Sequence, residues 1–191
     1  MKDVKYWFLD VETCGLNPKK NSIIQIASIF TDNDRYTREF EAFVAPIPGS
    51  EVDQKALEIN EIKENELWGF APAVQVLRDL KSVLKDYLNP YDKKDKFTLV
   101  GYNVRFDDDF MREWFARLSD KWYGSWRFFP PIDVMNLAAE YLKEDREELP
   151  DFTLKTVAAR LGITVEKERL HDALYDVELT RAMYRKLTEK N

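Results

Sequence analysis

The chain has 191 residues, 45% hydrophobic and 14% aromatic, enough for one domain (residues 1–191) with a sizeable core and without the composition of a disordered segment. A single cysteine, Cys14, excludes an intramolecular disulfide, and the short charged N-terminus excludes a signal peptide or membrane span, which points to the cytoplasm. The net charge of −6 argues against tight binding of phosphates through a broad basic surface, although metal ions can neutralise acids locally.

Residues 4–10, VKYWFLD, are apolar with little alternation, as in a strand covered on both faces. Residues 22–31 alternate more clearly and read as a second strand, and residues 36–45 read as a third. The polar stretches NPKKN and DNDR between them favour antiparallel hairpins. Pro46, Pro48 and Gly49 end this run, and residues 53–66 read as short helical pieces. Val76, Leu80, Val83, Leu84 and Leu88 recur at helical spacing after Pro72, predicting a helix over 72–88. FTLVGY, 97–102, is a buried-strand candidate, and Phe106, Phe110, Trp114 and Leu118 form one helical stripe. Residues 133–143, 153–161 and 172–188 are further helices, with Asp133 opening the first of them as a cap. Three strands, a helix, a strand and then mostly helix describe an α/β layer fold with a mixed sheet.

Three groups of residues carry chemistry. Asp10 and Glu12 lie two apart at the end of the first strand, so their side chains share a face. Two carboxylates there repel each other and lose hydration, which a hard divalent cation corrects. Taken alone, the pair also fits a solvated strand end. Asp107 follows the buried strand, with Asn103 as the expected helix N-cap. It fits a first-turn acid favoured by the helix dipole, and equally an acid at the strand end where α/β sites form. His171, the only histidine, stands five residues before Asp176. Asp172 as a cap would leave His171 on the preceding loop, free to reach a water as general base.

In this order, the motifs FLDVETCGL, GYNVRFDDDF and HDALYDVELT resemble those of the DnaQ-like, or DEDD, exonucleases, and the resemblance spans Val4 to about Leu187. It implies a ribonuclease H-like three-layer fold, with a mixed five-stranded sheet (three antiparallel strands, then parallel ones) flanked by helices. Asp10, Glu12, Asp107 and Asp176 would hold two divalent ions, Mg²⁺ or Mn²⁺. His171, rather than Tyr175, would be the base, as in the histidine (DEDDh) branch. The implied reaction is 3′→5′ release of nucleoside 5′-monophosphates from nucleic acid 3′ ends. Single-stranded or frayed DNA is the first expectation and RNA the second; a silent binding module is the reading of another class.

The resemblance also suggests substrate contacts. Leu16 would pack on the terminal base, the backbone of Thr13, Cys14 and Gly15 would meet the terminal sugar, and Asn103 and Phe106 would shape the second motif. Cys14 reads as a packing residue, because no second histidine exists to activate it. Asp108 is a candidate to share the role of Asp107. Few residues follow Asp176, so a tethering tail for a polymerase partner is not expected. WYGSWRFF, 122–129, reads first as core packing and second as a base-stacking surface. The lysines at 19–20 and at 93, 94 and 96 read as solvated.

Overall fold

A computed structural model describes residues 4–32, 36–89, 91–166, 169 and 172–189. The strands are β1 (Lys5–Thr13), β2 (Ile23–Asp32), β3 (Tyr36–Phe43), β4 (Thr98–Gly101) and β5 (Ile132–Asp133). They form one mixed sheet in the order β3-β2-β1-β4-β5. The first three strands are antiparallel neighbours, and β4 and β5 join in parallel. The helices are α1 (Gln54–Ile59), α2 (Glu64–Leu67), α3 (Ala73–Tyr87), α4 (Arg105–Arg117), α5 (Val134–Tyr141), α6 (Leu154–Arg160) and α7 (Ala173–Thr188). This is the mixed, helix-flanked, ribonuclease H-like sheet that the sequence implied.

The period of two along β1 divides the core. Trp7, Leu9 and Val11 face the layer formed by Val76, Leu80 and Leu84 of α3 and Phe110, Trp114 and Phe115 of α4. Phe8 points the other way, to Val134 of α5, Val157 of α6 and Val177 and Met183 of α7. Asp10 and Glu12 have the parity of Phe8, so they end the strand on the α7 face.

β2 forms the expected second strand, and every residue from Ile23 to Thr31 is buried despite the alternation in its sequence. β2 is an inner strand with helices over both faces, and its polar residues are accommodated singly; Trp7 Nε1, for example, donates to Ser28 Oγ at 2.9 Å. Among the described residues, no helix is long and apolar enough to cross a membrane.

The aromatic segment divides between both readings. Tyr123 and Trp126 are in the core, whereas Trp122 is 73% and Phe129 is 77% exposed. Arg127 is buried and pairs with Asp108 at 2.5 Å, and the Tyr123 hydroxyl donates to the same carboxylate at 2.8 Å. Removing one partner of such a pair strands a buried charge. Arg127→Met is therefore expected to lower stability by about 3–5 kcal/mol in chemical denaturation, and adding Asp108→Leu should recover most of the loss. A loss below about 1 kcal/mol for the single variant would show that the pair is not energetically buried.

Candidate active site

The site is built where β4 stops short of β1. Their pairing runs only from Tyr6↔Thr98 to Phe8↔Val100, so the last residues of β1 have no strand on that side. Asp107, in the first turn of α4, takes the place of one; its Oδ1 accepts from the Val11 amide at 3.0 Å. The turn from β4 into α4 is tight. A Cβ on Gly101 would lie 2.9 Å from the Val104 side chain and 3.0 Å from the Leu9 carbonyl, so only glycine lets the helix start this close to β1.

Asn103 does not cap α4 as expected. It takes φ 58, a conformation asparagine tolerates better than most residues, and the cap position falls to Val104 without a side-chain bond. The Asn103 amide donates instead to Asp133 Oδ1 at 3.1 Å. Asp133 caps α5 through the Met135 amide, as expected of it. One carboxylate thus ties the two turns that follow β4 and β5.

α7 brings the last acid. Asp172 is its N-cap, accepting from the Leu174 and Tyr175 amides, and Asp176 sits in the first turn. His171 lies outside the described residues. Tyr175 is occupied structurally: it is buried, and its hydroxyl accepts from the Glu166 amide at 2.6 Å.

The four acids share one field. Asp10 is held well above the usual carboxylate range by burial first, then by Asp107, Glu12 and Asp176. Burial and the charge of Asp176 push Glu12 to about 7. Asp107 is raised by burial, with Glu12 and Asp133 adding to it, against the lowering effect of the Val11 amide. The ionised forms of Asp10, Glu12 and Asp107 are thus disfavoured by burial and by their neighbours. Among the described residues no three of these groups close into a ready-made ligand cage. The donor chemistry nevertheless fits a hard divalent cation, which binds oxygen and relieves both burial and repulsion.

Asp108 is placed differently from its neighbour. It is buried against Arg127, Tyr123 and Arg112, so it does not share the position of Asp107. Consecutive helical residues point about 100° apart, and packing turned this one inward.

The loop after β1 is stiff up to Leu16. The Thr13 hydroxyl donates to the Gly15 carbonyl at 2.7 Å. The Cys14 amide donates to the Ser22 carbonyl, and the Cys14 carbonyl accepts from the Asp53 amide. The Cys14 thiol is buried, accepts from the Ser22 amide and is pushed up in pKa by burial, consistent with a packing role. Gly15 has φ 152, and a Cβ there would collide with the Asn21 amide group at 2.4 Å. Leu16 emerges 81% exposed. Phe106 is half-buried and packs on Phe110, with ring centroids 4.8 Å apart.

One neighbour of the site escaped the sequence: Asn60 donates to the Thr13 carbonyl at 3.1 Å. Asp133, read as a helix cap, also bears by its charge on Asp107. A signal for Asp133 did exist, since it ends a parallel strand beside the one that leads to Asp107.

Comparison with known proteins agrees with this arrangement. The exonuclease (RNase T) family model matches residues 7–184. The PolC-type DNA polymerase III of Thermotoga maritima is 27% identical over 98% of this chain, which spans only 12% of that polymerase. Ribonuclease T of Marinobacter nauticus is 27% identical over 92% of the chain and 78% of its own length. E. coli exonuclease I, solved in complex with a dT13 oligonucleotide, superposes with a TM-score of 0.74 at 25% identity, over 96% of this chain and 40% of that one. With the fold and a family match over nearly its whole length, the chain belongs to the DnaQ-like exonuclease family.

Proposed function

We propose that the chain is a metal-dependent 3′→5′ exonuclease of the DEDDh type, acting as one domain over residues 1–191 on single-stranded or frayed DNA in the cytoplasm. The observation that carries this reading is the gathering of Asp10, Glu12 and Asp107 at the end of β1, with the charge of Asp176 bearing on Asp10 and Glu12. Asp10, Glu12 and Asp176 would hold one divalent ion, and Asp10 with Asp107 a second. When bound, Mg²⁺ or Mn²⁺ supplies charge neutralisation at the phosphate and a more acidic water.

The protein groups do the rest. The Val11 amide holds Asp107 in place. His171 removes the proton from the attacking water through a ring nitrogen, a role imidazole chemistry suits. Leu16, exposed at the end of a braced loop, packs against the terminal base, and Thr13 and Gly15 set the height of that loop. Proofreading or repair would be served by such trimming. A second reading, exoribonuclease action on RNA tails, is favoured by the likeness to a ribonuclease T over most of that protein's length.

The test is a 5′-labelled single-stranded DNA oligomer and its RNA counterpart, incubated with Mg²⁺, Mn²⁺ or chelator. The expected result is a ladder that shortens from the 3′ end and vanishes in chelator. His171→Ala should slow it by roughly 10²–10⁴-fold, the usual contribution of a positioned base. Faster loss of RNA would reverse the substrate assignment. Absence of cleavage on both strands with either metal would favour the silent binding module.

A further inference from the structure

The last residues of β1 form a strand edge whose neighbour is missing. Pairing with β4 stops at Phe8↔Val100, and the register against β2 shifts between Glu12 and Thr13. Backbone groups along a strand point alternately to its two edges. The Cys14 amide donates to Ser22 on the β2 side, so Val11 and Thr13, of the other parity, turn to the edge that β4 has left. Both residues are buried, and buried backbone groups need partners.

Side chains fill that edge in succession. Asp107 Oδ1 accepts from the Val11 amide at 3.0 Å, and two residues further on Asn60 Nδ2 donates to the Thr13 carbonyl at 3.1 Å. Glu12 lies between these two bonds, so its backbone is held on both sides. Asn60 is itself well anchored. It is the C-cap of α1, its amide donates to the Ala56 carbonyl, and Glu61 turns the chain away at φ 53. At the start of α1 the Asp53 amide donates to the Cys14 carbonyl at 2.9 Å. Between them Leu57 is buried in one cluster with Cys14, Ile24 and Leu67.

We propose that Asn60 is a positioning residue for Glu12: by completing the strand edge at Thr13 it fixes the direction of the Glu12 carboxylate, and with it the grip on the divalent ion. The proposal rests on the metal-dependent reading of the site and deepens it. Capping of α1 uses the Asn60 backbone amide, which leaves the side chain for this second task. The residue type suits it as well. An amide donates to a carbonyl without bringing charge, whereas an acid here would add to the repulsion around Glu12, and a lysine or arginine would compete with the ion for it.

The experiment measures Mn²⁺ binding to the whole chain without substrate, by electron paramagnetic resonance of the free ion. The Mg²⁺ dependence of trimming is followed in parallel on a 5′-labelled single strand, and melts in chelator verify that each variant is folded. Asn60→Ala is expected to raise the Kd for Mn²⁺ about 10- to 100-fold, the usual effect of losing a group that orients a metal ligand, and to move the Mg²⁺ midpoint for trimming by a similar factor. Asn60→Gln, which keeps the donor, should lie between Asn60→Ala and wild type, with Glu12→Gln as the reference for a lost ligand. If Asn60→Ala does not fold, Asn60→Leu, close to asparagine in shape but without the donor, takes its place. Unchanged Mn²⁺ affinity in the folded donor-less variant, beside a clear loss in Glu12→Gln, would overturn the positioning role, and so would an equal loss in Asn60→Gln. Wild-type protein that binds Mn²⁺ and responds to Asn60→Ala but never trims the strand would overturn the exonuclease reading alone; wild-type protein that takes up no Mn²⁺ would overturn both.

Discussion

Asp10→Asn is expected to reduce phosphodiester cleavage by at least about 10³-fold while making the metal-free protein more stable. The two effects have one origin. Asp10 is half-buried beside three other acids, and its ionised form is disfavoured by desolvation and by Asp107, Glu12 and Asp176 together. Asparagine has nearly the same shape and removes the charge. The metal-free protein then loses a source of repulsion, and the ion loses the ligand proposed to serve both positions.

The pair Asp107 and Asp108 supplies a control of opposite sign. Asp107→Asn keeps an oxygen for the Val11 amide and should also stabilise the metal-free protein while lowering activity. Asp108→Asn leaves Arg127 buried without its counter-ion and should destabilise it. Single-turnover cleavage at saturating Mg²⁺, with denaturation curves in chelator, measures both properties. Activity of Asp10→Asn within tenfold of wild type would remove the acid cluster from the mechanism. A stability loss in that variant would show that Asp10 is a structural acceptor.

Metal-free protein is expected to lose stability as pH rises from about 4.5 to about 7, and Mg²⁺ to restore it. Glu12 carries the clearest part of this effect, with a folded-state pKa near 7 against an ordinary value of 4.5, caused by burial and by Asp176. Across that window the folded protein holds a proton that the unfolded chain has released. Stability therefore falls as pH rises, and the fall ends above about 7. For Glu12 alone the change is on the order of 3 kcal/mol. Asp10 and Asp107 are raised as well and act in the same direction.

A divalent ion replaces the protons, so its stabilisation should be much larger at pH 8 than at pH 5. Thermal melts of wild type and Glu12→Gln in chelator, then with Mg²⁺, isolate the effect from other titrating groups. The variant should be the more stable of the two at pH 8 and nearly equal to wild type at pH 4.5. A wild-type Tm that climbs through this window relative to the variant would refute the shared-field description of the site.

The sequence by itself determined the element types, because the signals are local. The stripe of α3, the caps at Asp133 and Asp172 and the unbroken apolar run of β1 involve residues within a turn or two of each other. It also offered candidate acids, since Asp10 and Glu12, the run 107–109 and Asp176 each stand in a recognisable short motif. Only the tertiary structure decided which acid of the run 107–109 joins the cluster. Neighbours on a helix diverge by about 100°, and Asp108 turned inward because Arg127, distant in sequence, was buried beside it. The same holds for β2, whose alternation lost its meaning once helices covered both faces, and for Phe129, exposed within a segment whose neighbours entered the core. Periodicity describes how a segment faces its own backbone; which of its faces meets water depends on what other segments pack against it.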